Sequence, residues 1–440
     1  MLRRLQAGLL YPLLERWSKR DIRSKAALLE SDMAASFARR RALRQARLAD
    51  ALAAAGRDVP YYRDLFQRTR FDPQRIRASV DYLQELPYLT KEILRAEGPR
   101  LISDRFPIRS LHARKTGGST GPGATIYYSS EALDWTAAVN AVAQQWAGKE
   151  RADSELHFSS RFPERFPLQD RVKERIKCLA LNRHNLVTDD FEPRSLDRLW
   201  RALRRARPYL VQGHPSTLYA LATRLRATGP DARGAFRIFE STGEAIDAKK
   251  RETISEVFGC RVINRFGNAE FGVVAYERLD ELGERLQVLD AVVWPETRAH
   301  ESGAAELVLT GLLNEAMPLV RYRTGDLAEL ATTDAGFFLC QVVGRVHDLV
   351  RIGDRLYPTH YVQDLLDRVG GIDEFQIEER PGRPLLLRLV MPDVARRDAT
   401  VARLRGWWPG GLEIEFVEFH DLVRCGWRGK FRYVVERRAA

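Results

Sequence analysis

The chain has 440 residues, 45% hydrophobic and 30% charged, which supplies a large apolar core and excludes disordered, collagen-like and disulfide-stapled miniature classes. Its net charge is +12, yet residues 1–50 alone hold twelve basic against five acidic residues, or +7. A uniformly basic nucleic-acid wrapper is thereby excluded, and neither an aromatic-studded basic module nor zinc-finger spacing occurs, so no nucleic-acid partner is expected.

Residues 1–20 combine a basic flank with a short apolar run that Glu15, Arg16 and Lys19 interrupt. No small-residue cleavage site follows, so a secretory leader is not expected. The segment can pack on the body, touch a protein or dock on a membrane surface. No window reaches the roughly 18 apolar residues of a membrane span. Leu28, Leu29, Met33, Phe37, Leu43, Leu48 and Leu52 recur at helical spacing, which predicts one or two amphipathic helices and a basic helical arm over 1–55.

After Pro60, helical patterns at Trp135–Trp146, Leu196–Leu203 and Thr217–Leu225 alternate with strand-like runs at Tyr209–Val211, Phe236–Phe239, Arg261–Asn264 and Leu307–Leu309. The alternation predicts a large α/β domain over 56–345. From residue 350 a β-α-β-β-α-β rhythm predicts a small α+β domain over 346–440, with the boundary at Val346–Asp348. Cys178, Cys260, Cys340 and Cys425 are isolated and suit a reducing, cytoplasmic setting.

Five segments can carry chemistry. Residues 116–123, Thr-Gly-Gly-Ser-Thr-Gly-Pro-Gly, form a glycine-rich loop whose amides and hydroxyls can turn toward an anion, although no Gly-Lys-Ser/Thr ends it. In residues 263–272 a strand runs into a Phe-Gly turn, where Glu270 can hold a divalent ion or cap a helix and Phe266 offers a base a stacking face. Residues 321–330 place Asp326 at a strand exit, where it can accept ribose hydroxyls or sit in an ordinary Gly-Asp turn. Arg345 lies at the domain boundary, and Lys430 lies on a Gly-rich loop near the chain end.

Their order resembles the adenylate-forming superfamily of acyl-CoA synthetases, luciferases and adenylation domains. The likeness is greatest to the phenylacetate-CoA ligase branch with its capsule-biosynthesis-associated relatives. Val59-Pro60-Tyr61-Tyr62-Arg63, the Gly243-Glu244 pair and the terminal Gly429-Lys430 complete the pattern, which spans roughly residues 55–440.

The resemblance implies ATP, Mg2+ and a carboxylic acid as ligands. Thr116, Gly117, Gly118, Ser119, Thr120 and Gly121 would hold the β- and γ-phosphates; Gly243, Glu244, Phe266, Gly267 and Asn268 would line the nucleotide base. Glu270 would ligate magnesium, Asp326 would grip the ribose, Arg345 would contact ribose or phosphate, and Lys430 would bridge the α-phosphate and the attacking carboxylate. The small domain would be mobile. Coenzyme A or another thiol is the expected acyl acceptor, with an amine, a hydroxyl or adenylylation of a cofactor as alternatives, and a nucleotide-binding scaffold as the non-enzymatic one.

The sequence departs from the branch in four places. Phe266 replaces a usual Tyr, Ala269 replaces a Thr or Ser, Gly123-Ala124 lacks a Lys, and the hinge carries His347 and Asp348. In the acyl pocket, Gly213 and His214 form a turn, and Phe158, Phe162 and Phe166 can supply a wall or belong to the core.

Overall fold

The protein is described as a computed structural model, which describes residues 9–116, 124–159, 168–188, 191–278, 285–301, 303–345, 349–352, 355–380, 382–408, 411–425 and 430–436. It opens with helices α1 (Tyr11–Trp17), α2 (Ile22–Met33), α3 (Phe37–Asp58) and α4 (Pro60–Thr69). Pro60 begins α4, where its missing N–H costs nothing. Two helices over 22–58 match the expected pattern, but only part of the expected stripe is buried. Leu29, Phe37, Leu48 and Leu52 enter the core, whereas Leu28 and Leu43 face solvent.

The basic character of this segment has a structural use. Arg40 Nε and Arg44 Nε of α3 each donate to a different oxygen of Asp290, at 3.0 and 3.1 Å, and all three side chains are buried. Arg40 also donates to the carbonyls of Ala35 (2.7 Å) and Ala335 (2.8 Å). Two guanidiniums on one carboxylate tie the N-terminal helices to a loop 250 residues away.

Further along lie α5 (Lys91–Glu97), the hairpin β1 (His112–Lys115) and β2 (Thr125–Tyr128), and α6 (Ser130–Trp146), whose first turn is capped by Ser129 Oγ on the Ala132 amide. Then come β3 (Glu155–Ser159), α7 (Leu168–Ala180), β4 (Arg183–Val187), α8 (Pro193–Ala206), β5 (Leu210–Gly213), α9 (Pro215–Thr228), β6 (Ile238–Ser241), α10 (Ala248–Phe258) and β7 (Arg261–Asn268). Antiparallel strands follow: β8 (Gly272–Glu277), β9 (Leu286–Val288), β10 (Val293–Ala299), β11 (Ala305–Gly311), β12 (Tyr322–Thr333) and β13 (Gly336–Arg345).

These strands form one eleven-stranded sheet in the order β10-β11-β12-β13-β9-β8-β7-β6-β5-β3-β4. β7 is its pivot. Arg261–Asn264 pair in parallel with β6, and Arg265–Asn268 pair antiparallel with β8. The predicted Arg261–Asn264 strand is therefore the first half of a longer one, whose second half delivers the Phe-Gly segment to the junction of two sheet types.

The C-terminal lobe contains the hairpin β14 (Leu349–Ile352) and β15 (Arg355–Pro358), α11 (Thr359–Val369), β16 (Glu374–Glu379), β17 (Leu385–Val390), α12 (Arg397–Trp407), β18 (Leu412–Phe416), the short pair β19 (Arg424–Cys425) and β20 (Lys430–Phe431), and β21 (Val434–Glu436). The sheet order is β18-β17-β16-β21. The rhythm read from the sequence places a strand before α11, but the hairpin found there stands apart. The fourth strand of the sheet is instead β21, parallel to β16, because Val434 joins Ile377 in the lobe's core.

Asp290→Ala should leave two buried cations without their shared partner. The expected cost is about 3 kcal/mol, read as a clear fall in the thermal unfolding midpoint. An unchanged midpoint would contradict the tie.

Candidate active site

The glycine loop leaves β1 and returns on β2. At its neck the Thr116 amide donates to the Ala124 carbonyl (2.8 Å), and the Ala124 amide donates back to Thr116 Oγ1 (2.9 Å). Thr116 is buried and closes the loop. Gly117, Gly118, Ser119, Thr120 and Gly121 lie outside the described residues.

β2 ends on Tyr128, whose hydroxyl lies 2.7 Å from the Ala269 carbonyl and 2.6 Å from the Glu270 carbonyl. The turn joining β7 to β8 is tight. A side chain on Gly267 would come within 2.3 Å of the Gly272 carbonyl, which explains glycine there, and Asn268 Oδ1 accepts the Phe271 amide at 2.9 Å. Phe266 is half-buried against the main core. Glu270 Oε1 accepts a hydrogen bond from the Tyr322 hydroxyl at 3.0 Å. Sequence reasoning passed over Tyr128 and Tyr322, although Tyr322 stands inside the Arg-Tyr-Arg-Thr-Gly-Asp run and physically joins two of the segments singled out.

Among the described residues no group of three or more His, Cys, Asp or Glu side chains could hold a metal alone. A single carboxylate such as Glu270 fits a magnesium ion that takes its other ligands from phosphates and water.

Asp326 lies on β12, buried, opposite Arg345 of β13 in the strand register. Thr324 sets the local turn: its Oγ1 accepts the Asp326 amide at 3.1 Å and donates to the Leu307 carbonyl at 2.8 Å. The two nearby arginines are structural. Arg321, held in a left-handed conformation (φ 50°), pairs with Glu296 (3.0 Å) and lies over the Tyr88 ring, and Arg323 pairs with Glu306 (2.9 Å). Beneath them Tyr62 donates to the Pro318 carbonyl and accepts the Val320 amide, both at 3.0 Å. The Tyr-Tyr segment thus supports the strand that carries Asp326. The Arg345 side chain and the hinge residues His347 and Asp348 lie outside the described residues.

The carboxyl ends of β5 and β6 carry the remaining segments singled out, Gly213-His214 and Gly243-Glu244. Phe158 is buried in the core with its ring stacked on Phe239. An added Cβ on Gly213 would meet that ring at 2.3 Å, so glycine lets the ring cross β5. Phe162 and Phe166 lie outside the described residues. His214 Nδ1 is 3.1 Å from the Thr242 carbonyl and 3.8 Å from Glu244 Oε1. Gly243, at φ 86°, makes the turn that presents Glu244. The Glu244 carboxylate accepts the amides of Ser216 (3.3 Å) and Phe431 (2.9 Å). Burial pushes its pKa up, but His214 and the donated hydrogen bonds outweigh burial and hold the group below the usual range.

Phe431 belongs to the C-terminal lobe and follows Lys430 directly. β19 pairs with β20 so that Arg424 faces Phe431 and Cys425 faces Lys430. The pair is anchored on the large lobe: Arg424 donates to Thr217 Oγ1 (3.0 Å) and lies 4.5 Å from the Phe191 ring centroid, and the Phe431 ring also packs there. The Lys430 side chain lies outside the described residues, but its backbone sits at this junction.

A second clasp lies beside it. Lys250 of α10 is buried, 2.8 Å from Glu374 Oε2 of β16, and bonds the Tyr433 hydroxyl. Asp247, the residue that caps the start of α10, is 3.3 Å from Lys250. Burial opposes the ammonium, and Glu374, Tyr433 and Asp247 together outweigh it, keeping Lys250 protonated well above its ordinary range.

No protein-family profile matches the chain. Phenylacetate-coenzyme A ligase of Aromatoleum evansii is 25% identical over 74% of this chain and 75% of its own length. The enzyme of the same name from Thermus thermophilus is 27% identical over 78% and 82%. Protein CapK of Staphylococcus aureus is 20% identical over 61% and 58%. Among solved structures, 2-hydroxyisobutyryl-CoA ligase in its postadenylation state superposes with a TM-score of 0.72 at 18% identity, covering 91% of this chain and 90% of that one. The same ligase in its thioesterification state gives 0.55. Motif order, sequence similarity over most of the chain and a shared fold lead to one conclusion: the chain is similar to the adenylate-forming ligases, and in sequence to the phenylacetate-coenzyme A ligases among them.

Proposed function

We propose that the protein activates a carboxylic acid with ATP and passes the acyl group to the thiol of coenzyme A. In the first half-reaction a carboxylate oxygen attacks the α-phosphorus, the bond to the bridging oxygen breaks, and pyrophosphate leaves. In the second the thiol sulfur attacks the acyl carbonyl, the bond to AMP breaks, and the thiol proton passes to solvent.

The observation that carries this reading is the Phe431–Glu244 hydrogen bond. It fixes the backbone of Lys430 against the carboxyl ends of the parallel strands, where ligands of open α/β sheets bind. From there an ammonium can lie between two anions and offset the charge that develops as they meet. The glycine loop would cradle the β- and γ-phosphates. Gly243, Phe266, Gly267 and Asn268 would line the base, Asp326 would accept the ribose hydroxyls, and Arg345, its partner across β12 and β13, would add a cation. Glu270, oriented by Tyr322, would hold magnesium, which supplies charge neutralisation at the phosphates. Glu244 would both border the base and hold the lobe carrying Lys430.

The lobe arrangement supports assigning the described state to the adenylation side of the cycle, since the superposition is better with the postadenylation ligase than with its thioesterification state. Passage to the second half-reaction would open both clasps and turn about the segment containing His347 and Asp348.

Lys430→Ala should slow acid-dependent ATP–pyrophosphate exchange at least a hundredfold while ATP affinity and the melting curve stay near wild type. Unchanged exchange would refute the lysine's role. Lys250→Met should weaken the closed arrangement. Hydrogen exchange in the 430–436 peptide should rise about tenfold, with the 374–390 peptide unchanged. Equal protection in both proteins would remove Lys250 as a clasp.

A further inference from the structure

Two helices of this protein are oriented against the usual rule. α7 touches the sheet edge through its polar side: Asn185 of β4 donates to Glu174 Oε1 and to Cys178 Sγ, both at 3.3 Å. Its apolar residues Leu168, Val172, Ile176 and Leu179, spaced at i, i+4, i+8 and i+11, all face solvent, with Leu168 73% and Leu179 58% exposed. A surface helix normally hides such a stripe. α1 does the same. Its acid Glu15 is buried and accepts the amides of Ile22 (2.6 Å) and Arg23 (2.7 Å), while Leu9, Leu13 and Trp17 form one outward ridge, with Leu13 64% and Trp17 80% exposed.

One segment, Arg151-Ala152, touches both α1 and the turn that follows α7. The Arg151 guanidinium lies 5.3 Å from the Tyr11 ring centroid of α1, and the adjoining Ala152 carbonyl accepts Asn182 Nδ2 at 3.1 Å, three residues beyond Leu179. The segments that carry both ridges are basic in sequence. Residues 1–20 hold five Lys or Arg against one acid, and α7 itself holds four against two. A second copy of the chain would bring like charges together. Phospholipid headgroups bearing net negative charge would be attracted to the rim while the acyl boundary takes up the apolar side chains, with the indole of Trp17 suited to the interface.

We propose that the α1 and α7 ridges together form a docking surface for an anionic lipid bilayer, on which the protein lies without crossing it. No described helix is long and apolar enough to span a membrane. The surface is independent of the nucleotide site, and its test does not require knowledge of the acid.

The test is flotation of the full chain with phosphatidylcholine vesicles, with and without phosphatidylserine at about a third of the lipid. Binding to the anionic vesicles should exceed binding to the neutral ones at least tenfold and fall steeply with added salt. Leu13→Glu/Trp17→Glu and Val172→Glu/Ile176→Glu should each reduce it at least tenfold without changing the circular dichroism or thermal midpoint, because all four side chains are exposed. Equal recovery with both vesicle types would overturn the proposal. It would also fail if these variants left vesicle binding unchanged but converted a dimer to a monomer by light scattering, which would assign the ridges to a second copy.

Discussion

A carboxylate and a nucleoside triphosphate repel each other, and any protein that joins them must bring positive charge to both without trapping either. In this chain the groups proposed to bind and neutralise the two come from different places. The glycine loop, Glu270 and Asp326 belong to the large lobe, and Lys430 belongs to the small one. Among the contacts that join the lobes, the Phe431 amide on Glu244 lies nearest to Lys430 in the chain. Its partners explain its strength: a carboxylate already held ionised by His214 and the Ser216 amide is a better acceptor than a neutral one.

The neighbouring Lys250–Glu374 pair illustrates how such an interface can be firm and still open. Deep inside a single core, parting two ions would strand both in a poor dielectric. Here the partners lie on opposite lobes, so separation brings water to each. If the lobes part, hydration of each ion would offset part of the Coulomb attraction lost. Lys250 keeps Asp247 as a partner on its own lobe, and Glu374 and the Tyr433 hydroxyl add to it from the other.

What the sequence revealed was local. The Gly-rich loop, the Phe-Gly turn and Thr-Gly-Asp each announce a backbone need within a few residues, and the α/β alternation follows from hydrophobic period. What it hid was distant. Asp290 meets Arg40 across 250 residues, and Tyr62 meets Val320 across 258. Nothing in composition marks Lys250 as different from Lys249 beside it, although Lys250 reaches Glu374 and Lys249 bonds the Ile372 carbonyl. Helical periodicity located the stripe on α3 but could not say that Leu43 would point outward, because periodicity gives a face and not its neighbour. The roles of Arg345 and Lys430 rest on the pattern of motifs, their side chains lying outside the described residues.

The most direct measurement is isotope exchange between labelled pyrophosphate and ATP, run with magnesium over a panel of aryl, short fatty, hydroxy, sugar and amino acids. The account predicts that at least one acid drives label into ATP and that no exchange occurs without acid. Intact ATP binding together with no exchange for any acid in the panel would contradict it.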